Sequence, residues 1–130
     1  MGSGKHKLIE ALAALAYSIA KADGDIQNTE KRRFKNIIRE EFQEDSWVAE
    51  QRFELLDSAI TPSLESAYKA ALKEIKTYDN LFDLEMSQKF LRVIEKIADA
   101  FGGTDKEETD LIERMKSDFQ KLIKNNQEAS

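Results

Sequence analysis

The sequence predicts an all-α protein, a single compact domain of about six helices spanning residues 1–130. Three observations carry that expectation. One proline and five glycines in 130 residues favour long uninterrupted helices over strands and turns. Apolar residues recur at three- and four-residue spacing in six stretches, without the alternation of a strand. The connections between these stretches are short, and the length is that of one domain.

The first stretch carries Leu8, Leu12, Leu15 and Ile19 on one helical face. Alanines at 11, 13, 14, 16, 20 and 22 cover much of the remaining surface, so neighbours can approach from more than one side. It is expected to be the central, most buried helix, ending near Ala22. The second runs from about Asn28 to Phe42 and turns Phe34, Ile37, Ile38 and Phe42 inward. The third, about Ser46 to Ile60, opens on Asp45-Ser46 as cap candidates and uses Val48, Leu55, Leu56 and Ala59, with Trp47 and Phe53 sealing its edges. Thr61-Pro62 supplies an N-cap and a first-turn proline for the fourth, which turns Leu64, Tyr68, Ala71, Leu72 and Ile75 inward as far as about Tyr78. Asp83 can cap the fifth, whose stripe is Met86, Phe90, Val93, Ile97 and Phe101. The sixth starts near Asp105 and uses Leu111, Ile112, Met115, Phe119 and Leu122. The ends, 1–5 and 125–130, are expected to be flexible.

A repeat lies within this pattern. Sliding the chain by 78 positions sets Leu8, Leu12, Leu15, Ile19 and Ala20 on Met86, Phe90, Val93, Ile97 and Ala98. The register continues through Ala22 on Ala100, Gly24 on Gly102, Glu30 on Glu108, Phe34 on Ile112 and Ile37 on Met115. The chain therefore reads as a duplicated helix-loop-helix, units about 8–42 and 86–119, with the helices of 46–78 between. The two first helices are expected to pack on each other.

The most distinctive loop is Ala22-Asp23-Gly24-Asp25-Ile26-Gln27-Asn28-Thr29-Glu30. Gly24 suits the positive φ that ends a helix. Ile26 is a lone apolar residue that can plug the gap between two helices. Glu30 stands three residues after Gln27, where a capping-box carboxylate returns to the backbone. The pattern Ala22-Asp23-Gly24-x-Ile26-x-x-x-Glu30 after an alanine-rich helix resembles the signature of the TerB-like tellurite-resistance family. The same domain resembles the N-terminal region of DjlA-type membrane co-chaperones. The resemblance is sharpest over 8–42 and recurs, weakened, over 86–119. It implies an all-helical domain without a known catalytic centre, links to stress response or metal resistance, and a divalent-cation role for the acidic loop. Asp23 and Glu30 match the motif; Asp25 is an additional carboxylate. Phe101 stands where a second copy of the motif would carry aspartate, so a second cation loop is expected to be impaired.

Two readings of Asp23, Asp25 and Glu30 stand side by side. In one they shape the turn and cap the second helix. In the other they hold a divalent cation such as calcium weakly, completed by carbonyls and water. The spacing is not that of an EF-hand, because Gly24 directly follows Asp23. Zero cysteines exclude disulfides, thiolate metal sites and a cysteine nucleophile. His6 is the single histidine, which argues against a Ser-His-Asp triad and against the Glu-x-x-His pairs of a di-iron bundle.

Charge is uneven. Residues 1–42 carry 8 basic and 6 acidic side chains, against 12 and 19 over 43–130, for a net −5 overall. Lys31, Arg32, Lys35 and Arg39 form a basic stripe on the second helix, read either as a face for an anionic partner or as a solvated face. The longest apolar run, about Leu8 to Ala20, is too short to span a bilayer. The function expected is a non-enzymatic, cytoplasmic interaction module that binds a protein partner, with cation-dependent ordering of the first loop. The alternatives are a metal-handling or hydrolytic enzyme using the same carboxylates, and an adaptor that touches an anionic membrane surface without inserting. No nucleic-acid partner is expected from the acidic balance. A co-chaperone role of its own is not expected, because the His-Pro-Asp tripeptide of J-domains is absent. Oligomeric state is not written in the pattern.

Overall fold

The computed structural model describes residues 3–22, 26–58, 64–100 and 106–129. They form six α-helices: α1 (Ser3–Ala22), α2 (Asn28–Phe42), α3 (Ser46–Ser58), α4 (Leu64–Thr77), α5 (Leu84–Ala100) and α6 (Lys106–Ala129). Single 3₁₀ turns at Gln43–Asp45 and Asp79–Leu81 make the links α2–α3 and α4–α5. No strand occurs among the described residues. The all-α class and the order of elements are as the periodicity predicts.

α1 is the axis of the molecule. From Leu8 to Ala20 every residue except Glu10 is buried. α3 and α4 press on it most closely, α5 covers another side, and α6 adds a lesser contact. Such all-round burial follows from alanine, which lets neighbouring backbones come near while leucines and Ile19 fill the spaces between. The buried Ser18 hydroxyl donates to the Ala14 carbonyl at 3.0 Å, so burial leaves it satisfied. α2 lies outside this group, packed across α3 and α5.

Several positions that the 78-residue register pairs are alike in burial. Leu12, Leu15, Ile19 and Ala20 of α1 and their counterparts Phe90, Val93, Ile97 and Ala98 of α5 are all buried, and α1 packs on α5. Phe90 also sits at the centre of an aromatic cluster. Its ring lies 5.2 Å from Phe82, 6.1 Å from Phe119 and 6.5 Å from Phe42, edge to face in each case. A second cluster stacks Phe34 of α2 on Phe53 of α3 at 4.0 Å, with Tyr17 of α1 edge-on to Phe53.

The caps explain where helices start. The Asp83 carboxylate accepts the Met86 backbone N–H at 2.8 Å, the N-cap bond expected of it. α1 begins at Ser3, ahead of the apolar stripe, because its first turn has partners. The Lys5 ammonium reaches Asp45 at 2.9 Å, and His6 Nε2 lies 3.3 Å from the other Asp45 oxygen. Gly4 lies against Leu81 and Tyr78, where a Cβ would come within 2.6 Å of a Leu81 methyl. A larger residue there would have to move the exposed Leu81 side chain.

α3 departs from the expected facing. Asp45 does not cap it but anchors α1, and Phe53 is core rather than edge. Trp47 is 55% exposed, standing edge-on to His6, and Leu55 is 59% exposed. The inward stripe is Val48, Ala49, Phe53 and Leu56. Leu55 and Leu56 are adjacent, so a helix can turn only one of them fully inward, and the register of Ala49 and Phe53 selects Leu56. The expected loop Thr61-Pro62, together with Ala59, Phe101 and Asp105, lies outside the described residues.

Candidate functional site

Glu30 belongs to the first turn of α2. Its Oε1 accepts the backbone N–H of Gln27 at 2.7 Å, the carboxylate half of a capping box. Its second carboxylate oxygen takes no hydrogen bond among the described residues. Ile26, just before, is half-buried against the core, as its isolation in a polar loop predicts. Asp23 and Asp25 lie outside the described residues. Among the described residues no group of three metal-ligating side chains converges.

The basic stripe of α2 faces α3. Lys31 Nζ meets Asp57 at 2.5 Å, Lys35 meets Glu54 at 3.7 Å, and Arg39 meets Glu50 at 3.0 Å. The hydrogen bond with Asp57 is the largest influence raising the Lys31 ammonium above the ordinary lysine range. These three cations thus form a ladder with the carboxylates 50, 54 and 57, whose spacing of four and three matches the turn of α3. Arg32 is exposed. The other edge of α2 is tied to α5, through Arg33 to the Ala100 carbonyl at 2.9 Å and Arg92 to Glu41 at 2.6 Å. Charge on α2 works as fastening on both sides.

Two clefts hold charged groups of both signs. One, of about 390 Å³, lies at the end of α2 and is lined by Lys5, Glu41, Phe42, Gln43, Glu44, Asp45 and Lys89. Gln43 there takes φ 51°, the left-handed side of the map, closing α2 with its N–H on the Arg39 carbonyl. The Lys5 ammonium, with His6 beside it, holds the Asp45 carboxyl below its ordinary range. The other cleft, of about 400 Å³, runs along α1, α3 and α4 and includes Lys7, Arg52, Lys73 and Glu74. Two of its cations, Arg52 and Lys7, pair with Glu10 at 3.2 and 3.4 Å. Burial pushes the Glu74 carboxyl above the ordinary range, against the pull of Arg52.

Glu74 yields a signed prediction. With a folded pKa above the unfolded one, its stabilising contribution is complete below the ordinary glutamate range and is lost as pH rises through the raised value. Glu74→Gln removes that loss. Thermal melts by circular dichroism should place the variant about 1–3 °C above the parent at about pH 7, with the gap closing below about pH 4. A variant that melts lower than the parent at neutral pH would contradict this account of Glu74.

α4 and α6 meet through side chains. The Tyr68 hydroxyl donates to Asp118 at 2.6 Å, and Arg114 grips Glu65 with two bonds of 2.7 and 2.9 Å while lying over the Tyr68 ring. Burial, and then the Asp118 bond, push the Tyr68 phenol well above its ordinary range, so it stays a donor. Beyond this link the two helices leave a groove of about 310 Å³ lined by Leu72, Lys73, Lys76, Asp118, Lys121 and Leu122. Its floor is mostly hydrocarbon from the two half-buried leucines. Lys73, Lys76 and Lys121 are exposed on its rim and form no ion pair among the described residues. Asp118 is occupied by Tyr68 and has Arg114 Nε at 4.0 Å. Sequence reading missed this groove, because its lysines come from helices about 45 positions apart; their one local signal is the i, i+3 pair Lys73 and Lys76.

Among the described residues no helix is long and apolar enough to cross a membrane. A family model described as Tellurite resistance protein TerB matches residues 9–121. No curated protein and no solved structure matches the chain.

Proposed function

Since the chain belongs to the tellurite-resistance TerB family, we propose that it acts as a non-enzymatic interaction module for a protein partner. The observation that carries this reading is the distribution of charge. Lys31, Lys35 and Arg39 of the α2 stripe are paired with acids of α3, whereas the α4/α6 groove combines an apolar floor with three lysines that make no ion pair among the described residues. An apolar surface ringed by charge of one sign is the arrangement of a binding face rather than of a reaction centre.

The test compares capture of proteins from native extract by the parent and by a Lys73→Glu, Lys76→Glu, Lys121→Glu variant, each with an unchanged melting curve. A protein held by the parent and lost both in the variant and at high salt supports the module. Identical retention by both, or turnover of a substrate that survives in the variant, overturns it.

A second reading is favoured by the geometry of Glu30, whose carboxylate is fixed on the Gln27 backbone with one oxygen outside that bond. A divalent cation drawn to Glu30 with Asp23 and Asp25 would stiffen the start of α2. Calcium is expected to raise the melting temperature of the parent by a few degrees and to leave an Asp23→Asn, Asp25→Asn variant unmoved. Calorimetry without a calcium heat would sink the idea.

A further inference from the structure

Resting on the interaction-module reading, the geometry points to one occupant of the α4/α6 groove: an amphipathic helix of a partner protein, with aliphatic anchors on one face and acidic residues on both flanks. Three features of the groove select it. The floor, Leu72 from α4 and Leu122 from α6, lies between two helices, the setting in which a third helix seats its apolar stripe. Lys73 and Lys76 stand on one wall and Lys121 on the other, so a helix lying between them meets positive charge on both flanks. The one carboxylate in the lining, Asp118, is held by the Tyr68 hydroxyl and has Arg114 beside it, so it does not cancel the rim.

Other anionic ligands match less of this surface. A nucleic-acid strand wants aromatic or guanidinium faces for stacking, and the floor offers leucine. A lipid headgroup region is met by a flat or convex face, and this one is a trough. For a docked helix, leucine side chains supply the buried apolar area, while the lysines select acidic flanks and speed encounter. The rest of the protein, net negative, repels such a helix elsewhere and so steers it to the groove.

The experiment uses the full chain and a fluorescein-labelled peptide of about 18 residues, with leucines at i, i+3, i+4 and i+7 and glutamates on both flanks. Anisotropy should show saturable binding by the parent. A scrambled peptide of the same composition should bind at least about tenfold more weakly, because it has no continuous apolar face. Lys76→Glu and Lys121→Glu, on opposite walls and exposed, should each weaken binding about three- to tenfold with unchanged melting curves. The double reversal should prefer a peptide carrying lysine in place of glutamate. Equal binding of the scrambled peptide, or indifference to the two reversals, overturns the proposal. So does tighter binding of phosphatidylserine vesicles or of single-stranded oligodeoxythymidine that the reversals abolish. In that last case the groove remains a binding surface and only the class of its occupant is wrong. A failure of the capture comparison, by contrast, removes the module reading itself.

Discussion

Phe90→Ala lowers the stability of the fold by about 3–5 kcal/mol, the largest effect expected of a single substitution here. Phe90 is fully buried on α5, and its ring meets Phe82 before that helix, Phe42 on α2 and Phe119 on α6. Truncation therefore opens a cavity bordered by several elements, none of which can collapse into it without leaving its own contacts. The edge-to-face pairs are lost in addition to the transferred area. Urea unfolding should show a midpoint shifted far down with an unchanged slope, which separates lost stability from an altered unfolded state. A loss below about 1 kcal/mol would mean the cluster is loosely packed and the account of the α2–α5–α6 contact is wrong.

Ala16→Leu on α1 is expected to cost about 1–3 kcal/mol, although both residues are good helix formers. Ala16 has no exposure, in a helix pressed by α3 and α4 at close range, so three added carbons must push a neighbouring helix aside. The control is Ala70→Leu on α4, the same chemical change at an exposed position, expected to stay within about 0.5 kcal/mol of the parent. Comparable losses at both sites would show that alanine serves helix formation rather than close approach. Ala13, equally buried one turn earlier, should behave as Ala16 does.

What could be read from the chain was whatever local chemistry decides. The α1 stripe, the Asp83 cap and the return of Glu30 to Gln27 all act within four residues, and each is present as expected. The positions of the six helices were also legible, because apolar spacing recurs in each. The facing of α3 was not. Its apolar residues 47, 48, 53, 55 and 56 spread around the helix, and only packing against Phe34 and Tyr17 chooses Phe53 over Trp47 and Leu55. The meaning of the α2 cations was hidden for the same reason. Lys31, Lys35 and Arg39 form a stripe in the sequence, but whether it meets solvent or the acids of α3 is a property of how two helices dock. The α4/α6 groove required both helices in place before its three lysines became one surface.

The burial of α1 on nearly every side also sets the order of events on the ribosome. The helix that most needs cover is the first of the six to be made, while α5 begins at Leu84, about 60 residues later. At a synthesis rate of about 5–20 residues per second, that is a wait of roughly 3–12 s. During it, Leu8 to Ala20 has no α5 to lie against, and such a nascent apolar segment is what holding chaperones bind. The same alanine-lined surface that permits close packing in the finished protein makes this segment less sticky than a leucine-rich one of equal length. The native state is reached from the inside outward in time: the axis is laid down first and enclosed last.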